Sequence, residues 1–201
     1  MELKGKALYN LLRINWLEDP SIGVQPWQVE DYRVLSTADL FSKLEKLKIP
    51  LNEESFLLYV ESSDSPEELV ECLCLDDEDL EISDQSYLLL FELWRRLIPE
   101  KESLSIFCDE LDRLIELYDK GSSQEDEQLQ KALSDLEDVL DETVDAGASA
   151  PEAFENVTQH CAHDLEAFIN DYISFQLESN NDVYASKLLD AFSEYMTEEV
   201  P

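Results

Sequence analysis

The chain has 201 residues, 44% of them hydrophobic and 9% aromatic, and a folded chain of this size buries roughly 70% of the surface it exposes when unfolded, so the composition argues against intrinsic disorder. Fourteen Lys and Arg stand against 48 Asp and Glu, a net charge of −34; such a field repels phosphate backbones and anionic headgroups and predicts neither a nucleic-acid nor a membrane partner. Four glycines and seven prolines are too few for many short strands, which leaves an all-α chain as the expected class.

The charge is uneven. Residues 1–50 hold seven basic and seven acidic side chains, so residues 51–201 carry the whole −34. A field of that kind attracts a basic protein and speeds its encounter, or serves solubility alone. The opening segment from Met1 is too short and too polar for a secretion signal or a membrane span. The four cysteines, Cys72, Cys74, Cys108 and Cys161, lack the density of a disulfide scaffold and read as reduced thiols. A soluble cytoplasmic protein is expected, although a protein exported without a signal would look the same.

In chain order, the first helix is expected through about Leu17, followed by a loop with Pro20, Gly23 and Pro26. Ser36 with Asp39 opens a second helix carrying Leu40, Phe41, Leu44 and Leu47. Asn52 suits the cap of a helix over Phe56 to Val60, although Phe-Leu-Leu-Tyr-Val would also serve as a buried strand. Ser65-Pro66-Glu67-Glu68 opens a short helix to about Leu75, where Leu69, Leu73 and the two cysteines read as packing residues. The stretch from Tyr87 to Ile98 is apolar on nearly every face, between Asp84 and Pro99, and belongs at the centre of a fold. An amphipathic helix follows through Phe107, Leu111, Leu114 and Tyr118, closed by Gly121.

Leu129, Leu133, Leu136, Leu140 and Val144 then form one helical stripe, with Ser122 or Ser123 as its cap and Gly147 as its stop. Ser149-Ala150-Pro151-Glu152 opens the next helix, whose stripe of Phe154, Val157, Cys161, Leu165, Phe168, Tyr172 and Phe175 predicts one continuous element to about Leu177. After Asn180, Asn181 and Asp182 comes a last helix with Leu188, Phe192 and Tyr195 on one face. These are about eight helices, arranged as an irregular helical bundle or a short α-solenoid. No repeat of fixed period recurs. The expectation is a single domain, 1–201, and the connector Lys120-Gly121-Ser122-Ser123 is the place for any subdomain boundary.

Residues able to do chemistry crowd together once, in His160-Cys161-Ala162-His163-Asp164. On a helix His160 and Asp164, four apart, could face one ion. The pair His163-Asp164 on a helix resembles the HD phosphohydrolases, all-α enzymes in which such a pair joins another histidine and a distant aspartate on two further helices. This sequence lacks the histidine the resemblance requires, since its only other one lies three residues upstream. Placed on the expected helix, His163 would point to solvent about 160° from Cys161, at 100° per residue. No metal and no cofactor is therefore expected, and His160, His163 and Asp164 are the residues a metal would use. Helical di-iron sites need Glu-x-x-His from two helices, which is absent. The acidic run Asp76-Asp77-Glu78-Asp79-Leu80-Glu81 lacks the glycine at the sixth position and the bidentate Glu at the twelfth of a calcium loop, and reads as a solvated interhelical loop. Cys72-Leu73-Cys74 has the wrong spacing for zinc or redox work, and no Gly-rich phosphate loop or nucleophile elbow exists.

The expected function is non-catalytic: an acidic protein-interaction module, acting as an adaptor, a client-specific chaperone or an inhibitor of a basic partner, with no catalytic residues. Its alternative is an all-α metal-dependent hydrolase using His160, His163 and Asp164. For the module, Trp16, Trp27 and Tyr32 beside the Pro- and Gly-containing loop would supply affinity in the near-neutral N-terminal segment, and Glu125, Asp126 and Glu127 would steer a basic partner. The neutral segment would also tolerate a second copy of this chain.

Overall fold

The computed structural model describes residues 3–74, 80–121 and 126–196, and within them ten α-helices and no strand. The chain divides into two compact units, one of residues 8–107 and the other of residues 1–7 with 108–201. The described elements begin with α1 (Lys6–Glu18), two single 3₁₀ turns (Pro26–Gln28 and Tyr32–Val34), α2 (Thr37–Lys46), α3 (Glu53–Val60), α4 (Pro66–Cys74) and α5 (Leu80–Leu97). They continue with α6 (Leu104–Asp119), α7 (Asp126–Asp145), α8 (Ala150–Thr158), α9 (Leu165–Glu178) and α10 (Asp182–Phe192).

In the 8–107 unit the core is organised by α5, whose residues from Ser86 to Trp94 are all buried. Leu40 and Leu44 of α2, Phe56 of α3 and Leu69 of α4 join it, each fully buried. The Phe-Leu-Leu-Tyr-Val segment is helical: the Asn52 side chain accepts the Ser55 N–H at 2.9 Å and starts α3. Only Phe56 and Val60 face the core, while Leu57, Leu58 and Tyr59 are exposed. Cys72 is exposed as well, on the outer side of α4, so the packing role expected of it falls to Leu69 and in part to Leu73.

Two basic side chains bind the loops of this unit to α5. Arg96 donates to the carbonyls of Tyr32, Arg33 and Leu35 at 3.1, 3.0 and 2.6 Å, and its charge is met by buried Glu92, which also pairs with Arg95. Lys101 lies over the Trp94 ring, 5.7 Å from its centre. Its ammonium donates to the Val60 carbonyl at 3.1 Å and to that of Ser63. Polar groups that would be costly to bury alone are thus paired across 38 to 64 residues of sequence.

In the unit of 1–7 and 108–201, α7 presents Leu129, Leu133, Leu136 and Leu140 as one buried stripe. Gly147, at φ +113°, ends the run in a conformation that side chains rarely adopt. Ser149 and Glu152 form the expected box at the start of α8, with the Ser149 N–H donating to Glu152 at 2.9 Å. From α10, Leu188 and Phe192 are buried, and so is Tyr195 just beyond it. The single helix expected over 149–177 is instead two. The chain leaves α8 after Thr158 in short turns, His160 N–H to the Val157 carbonyl and Cys161 N–H to that of Thr158, and α9 starts afresh with the Asp164 side chain accepting the Ala167 N–H at 3.1 Å. The stripe gave no warning because Val157, Cys161 and Leu165 stay buried through the break.

Candidate functional site: an acidic aromatic cleft

The break at 159–164 is held by a residue fifty positions upstream. Asp112 of α6, 2% exposed, accepts the Ala162 N–H at 2.8 and 3.0 Å through its two oxygens and the His163 N–H at 3.1 Å. The same carboxylate lies 2.9 Å from His163 Nδ1. His163 therefore turns inward to α6 and not to solvent, because it sits on a turn and not on the helix that the stripe implied. Burial is the largest influence on its imidazole and opposes the charged form. The hydrogen bond and charge of Asp112, with the charges of Glu116 and Asp119, together outweigh it and raise the pKa above the ordinary histidine value.

A folded-state pKa above the unfolded one gives stability that is complete below the unfolded value of about 6.5 and is lost as pH rises through the folded value. His163→Gln should accordingly cost more stability at about pH 6 than at about pH 8.5 in urea unfolding, and the His163 ring protons should titrate above the ordinary value by NMR. Titration at or below that value would refute the Asp112 pairing in solution.

Beside this pair, α6, the turn and α9 enclose a cleft of about 380 Å³, within the range of roughly 300–1,000 Å³ seen for small-ligand sites. Its floor is Ile115 and Tyr172, both 1% exposed. Its walls are the half-buried rings of Tyr118 and Phe168 and the half-exposed ring of Phe175. Tyr118 meets Phe168, Tyr172 and Phe175 edge to face, at centroid distances of 6.0, 5.2 and 6.0 Å, and Phe168 stacks on Tyr172 at 5.8 Å. Around the mouth stand the exposed carboxylates of Asp119, Asp164 and Asp171, with His163 at one side. Asp164 is engaged as the cap of α9, whereas Asp119 and Asp171 make no ion pair and their carboxylates accept no hydrogen bond among the described residues.

Helical spacing produces this face: Asp164, Phe168, Asp171 and Phe175 follow steps of four, three and four, which places acids and rings alternately on one side. A stripe that is only a packing face has no place for aspartates, and that alternation is the signal a reading for apolar residues alone passes over.

The other expected site residues lie apart. Tyr32 is a core residue, its hydroxyl donating to the Trp27 carbonyl at 2.8 Å, and it offers no surface because Arg96 ties its turn to α5. Trp27 is half-buried, its ring 5.7 Å from Tyr9 and its indole N–H 3.2 Å from Glu81. Trp16 is half-buried on α1. Asp126 accepts from the Tyr172 hydroxyl at 2.9 Å and from Gln130 at 2.8 Å, so it supports the cleft floor. Glu127 is exposed in the first turn of α7. Glu125, Ser122, Ser123 and Asp76 to Asp79 lie outside the described residues. His160 is half-buried, and its helical face with Asp164 does not exist because the turn separates them; among the described residues no three His, Cys, Asp or Glu side chains converge as metal ligands.

Chemically, the Asp112–His163 pair could accept a proton, but its setting of ring faces and carboxylates is suited to holding a cation. Among the described residues no helix is long and apolar enough to cross a membrane. No protein-family model matches this chain, and neither a curated protein nor a solved structure matches it.

Proposed function

We propose that this protein is a non-catalytic, acidic α-helical interaction module whose partner is a protein with a basic surface. The observation that carries the reading is the cleft of α6 and α9, where aromatic rings share one opening with two carboxylates that make no ion pair and accept no hydrogen bond among the described residues. Its unit holds six basic and 26 acidic side chains, net −20, so the field around the cleft favours cations. Adaptor, client-specific chaperone and inhibitor of a basic partner all fit this chemistry, and a cytoplasmic setting suits its thiols.

A basic nonapeptide of alternating Arg and Gly provides the test, measured by calorimetry over a range of salt. Neutralising the cleft by Asp119→Asn with Asp171→Asn should weaken binding several-fold more than the equal charge change Glu142→Gln with Asp145→Asn on exposed positions of α7, and affinity should fall as salt rises. Equal effects of the two pairs would leave the acidity as a solubility device and remove support for a partner site.

A further inference from the structure

Resting on that reading, we propose that the cleft selects arginine: its ligand is the guanidinium of an arginine side chain on the partner polypeptide, in preference to a lysine or methylated lysine. The reason lies in how the rings meet. Tyr118 contacts Phe168 and Phe175 edge to face at 6.0 Å with interplanar angles of 85° and 82°, and Phe168 stacks on Tyr172 at 5.8 Å, so each of these ring pairs is in mutual contact and none is parted widely enough to hold an ammonium between two facing rings. The most exposed of these aromatic residues is Phe175, at 50%. A flat, weakly hydrated cation uses a single face well, stacking on it while its edge stays free to donate.

The carboxylates answer that edge. Asp171 lies three residues after Phe168 and four before Phe175, one helical turn from each ring, and Asp119 follows Tyr118 directly on α6. Both are exposed, and neither makes an ion pair or accepts a hydrogen bond among the described residues; a carboxylate accepts two parallel N–H bonds from a guanidinium. A trimethylated ammonium has no N–H to give, and lysine has no plane to stack. Nearby Asp164 is occupied as a helix cap, and the Nδ1 side of His163 is held by Asp112, so neither competes as the primary acceptor.

The experiment is an aromatic ¹³C–¹H NMR titration of the full chain with three probes: the N-acetyl methylamides of arginine, lysine and trimethyllysine. The arginine probe should shift the Tyr118, Phe168 and Phe175 resonances and bind about fivefold or more tightly than either of the others. Phe175→Leu, which keeps bulk but removes the ring, and Asp171→Asn should each weaken it by roughly 2- to 30-fold. Both positions are exposed at the mouth, and an unchanged spectrum elsewhere confirms the fold of each variant. Equal binding of arginine and lysine in the cleft, or tightest binding of trimethyllysine, would overturn the arginine inference and leave the basic-partner reading standing. Shifts outside the cleft with all three probes, or none with any, would overturn both.

Discussion

Replacing Trp94 by alanine should cost about 3–5 kcal/mol, enough to consume much of the roughly 5–15 kcal/mol that a domain of this kind possesses. Trp94 is fully buried on α5, among the largest side chains with no exposure in its unit. Its removal leaves a cavity at the most densely apolar part of the core, and the loss goes beyond volume. The indole N–H donates to the Lys101 carbonyl at 2.8 Å, and the Lys101 ammonium lies over the ring while donating to the carbonyls of Val60 and Ser63. Without the indole, the loop after α5 loses a donor and its cation loses the ring beneath it. Trp94→Phe restores most of the bulk but not the N–H and should cost roughly 1–3 kcal/mol. In the other unit Leu136, also fully buried, lacks polar attachments, and Leu136→Ala should cost about 2–5 kcal/mol from cavity formation alone. Urea unfolding followed by far-ultraviolet circular dichroism measures all three. A loss below about 1 kcal/mol for Trp94→Ala would show that the core collapses around the gap and that the indole does not anchor the loop after α5.

Features of the fold that are settled by neighbours in sequence were legible, and those settled by distant residues were not. Leu129, Leu133, Leu136 and Leu140 declare a buried helical face through spacing alone, and the boxes Ser36 with Asp39 and Ser149 with Glu152 declare where helices begin. The apolar run of α5 marks it as a core element without reference to any partner. Tyr32, by contrast, looks like a loop aromatic free to bind. Its burial depends on Arg96, more than sixty residues away, collecting the carbonyls of its turn. The break at 159–164 was hidden for a related reason, since the apolar spacing from Val157 to Leu165 suits a continuous helix while the N–H groups of the turn are taken by Asp112 of α6, distant in sequence. The cleft was half visible: Phe168, Tyr172 and Phe175 read as packing, and only Tyr172 is fully covered. Which flank of an aromatic stripe a neighbouring helix covers is a tertiary matter, while the aspartates interleaved at 164 and 171 were the local sign that one flank stays open.

Asp112→Ala should damage the unit that carries the cleft by about 3–5 kcal/mol, because it removes one buried charge and orphans several donors together. The N–H groups of Ala162 and His163 precede α9, where no helical carbonyl is available to accept them. Asp112 supplies the acceptors from another helix and takes the ring of His163 as well. Water could replace it only by entering a place where Asp112 is 2% exposed. Asp112→Asn separates the two contributions: its one carbonyl oxygen can keep an N–H bond, but the charge that helps hold the His163 proton is gone. That variant should cost less, roughly 1–3 kcal/mol, and should lower the His163 pKa relative to the wild type. The cleft gives a third readout, since His163 and Asp164 reach its mouth through the turn that Asp112 fixes. Arginine-probe binding should therefore weaken in Asp112→Ala under conditions where circular dichroism still reports a folded chain, and should largely survive in Asp112→Asn. Equal losses of under about 1 kcal/mol for both variants, with an unmoved His163 titration, would mean that the turn at 159–164 is held by its own short hydrogen bonds and that Asp112 is a bystander.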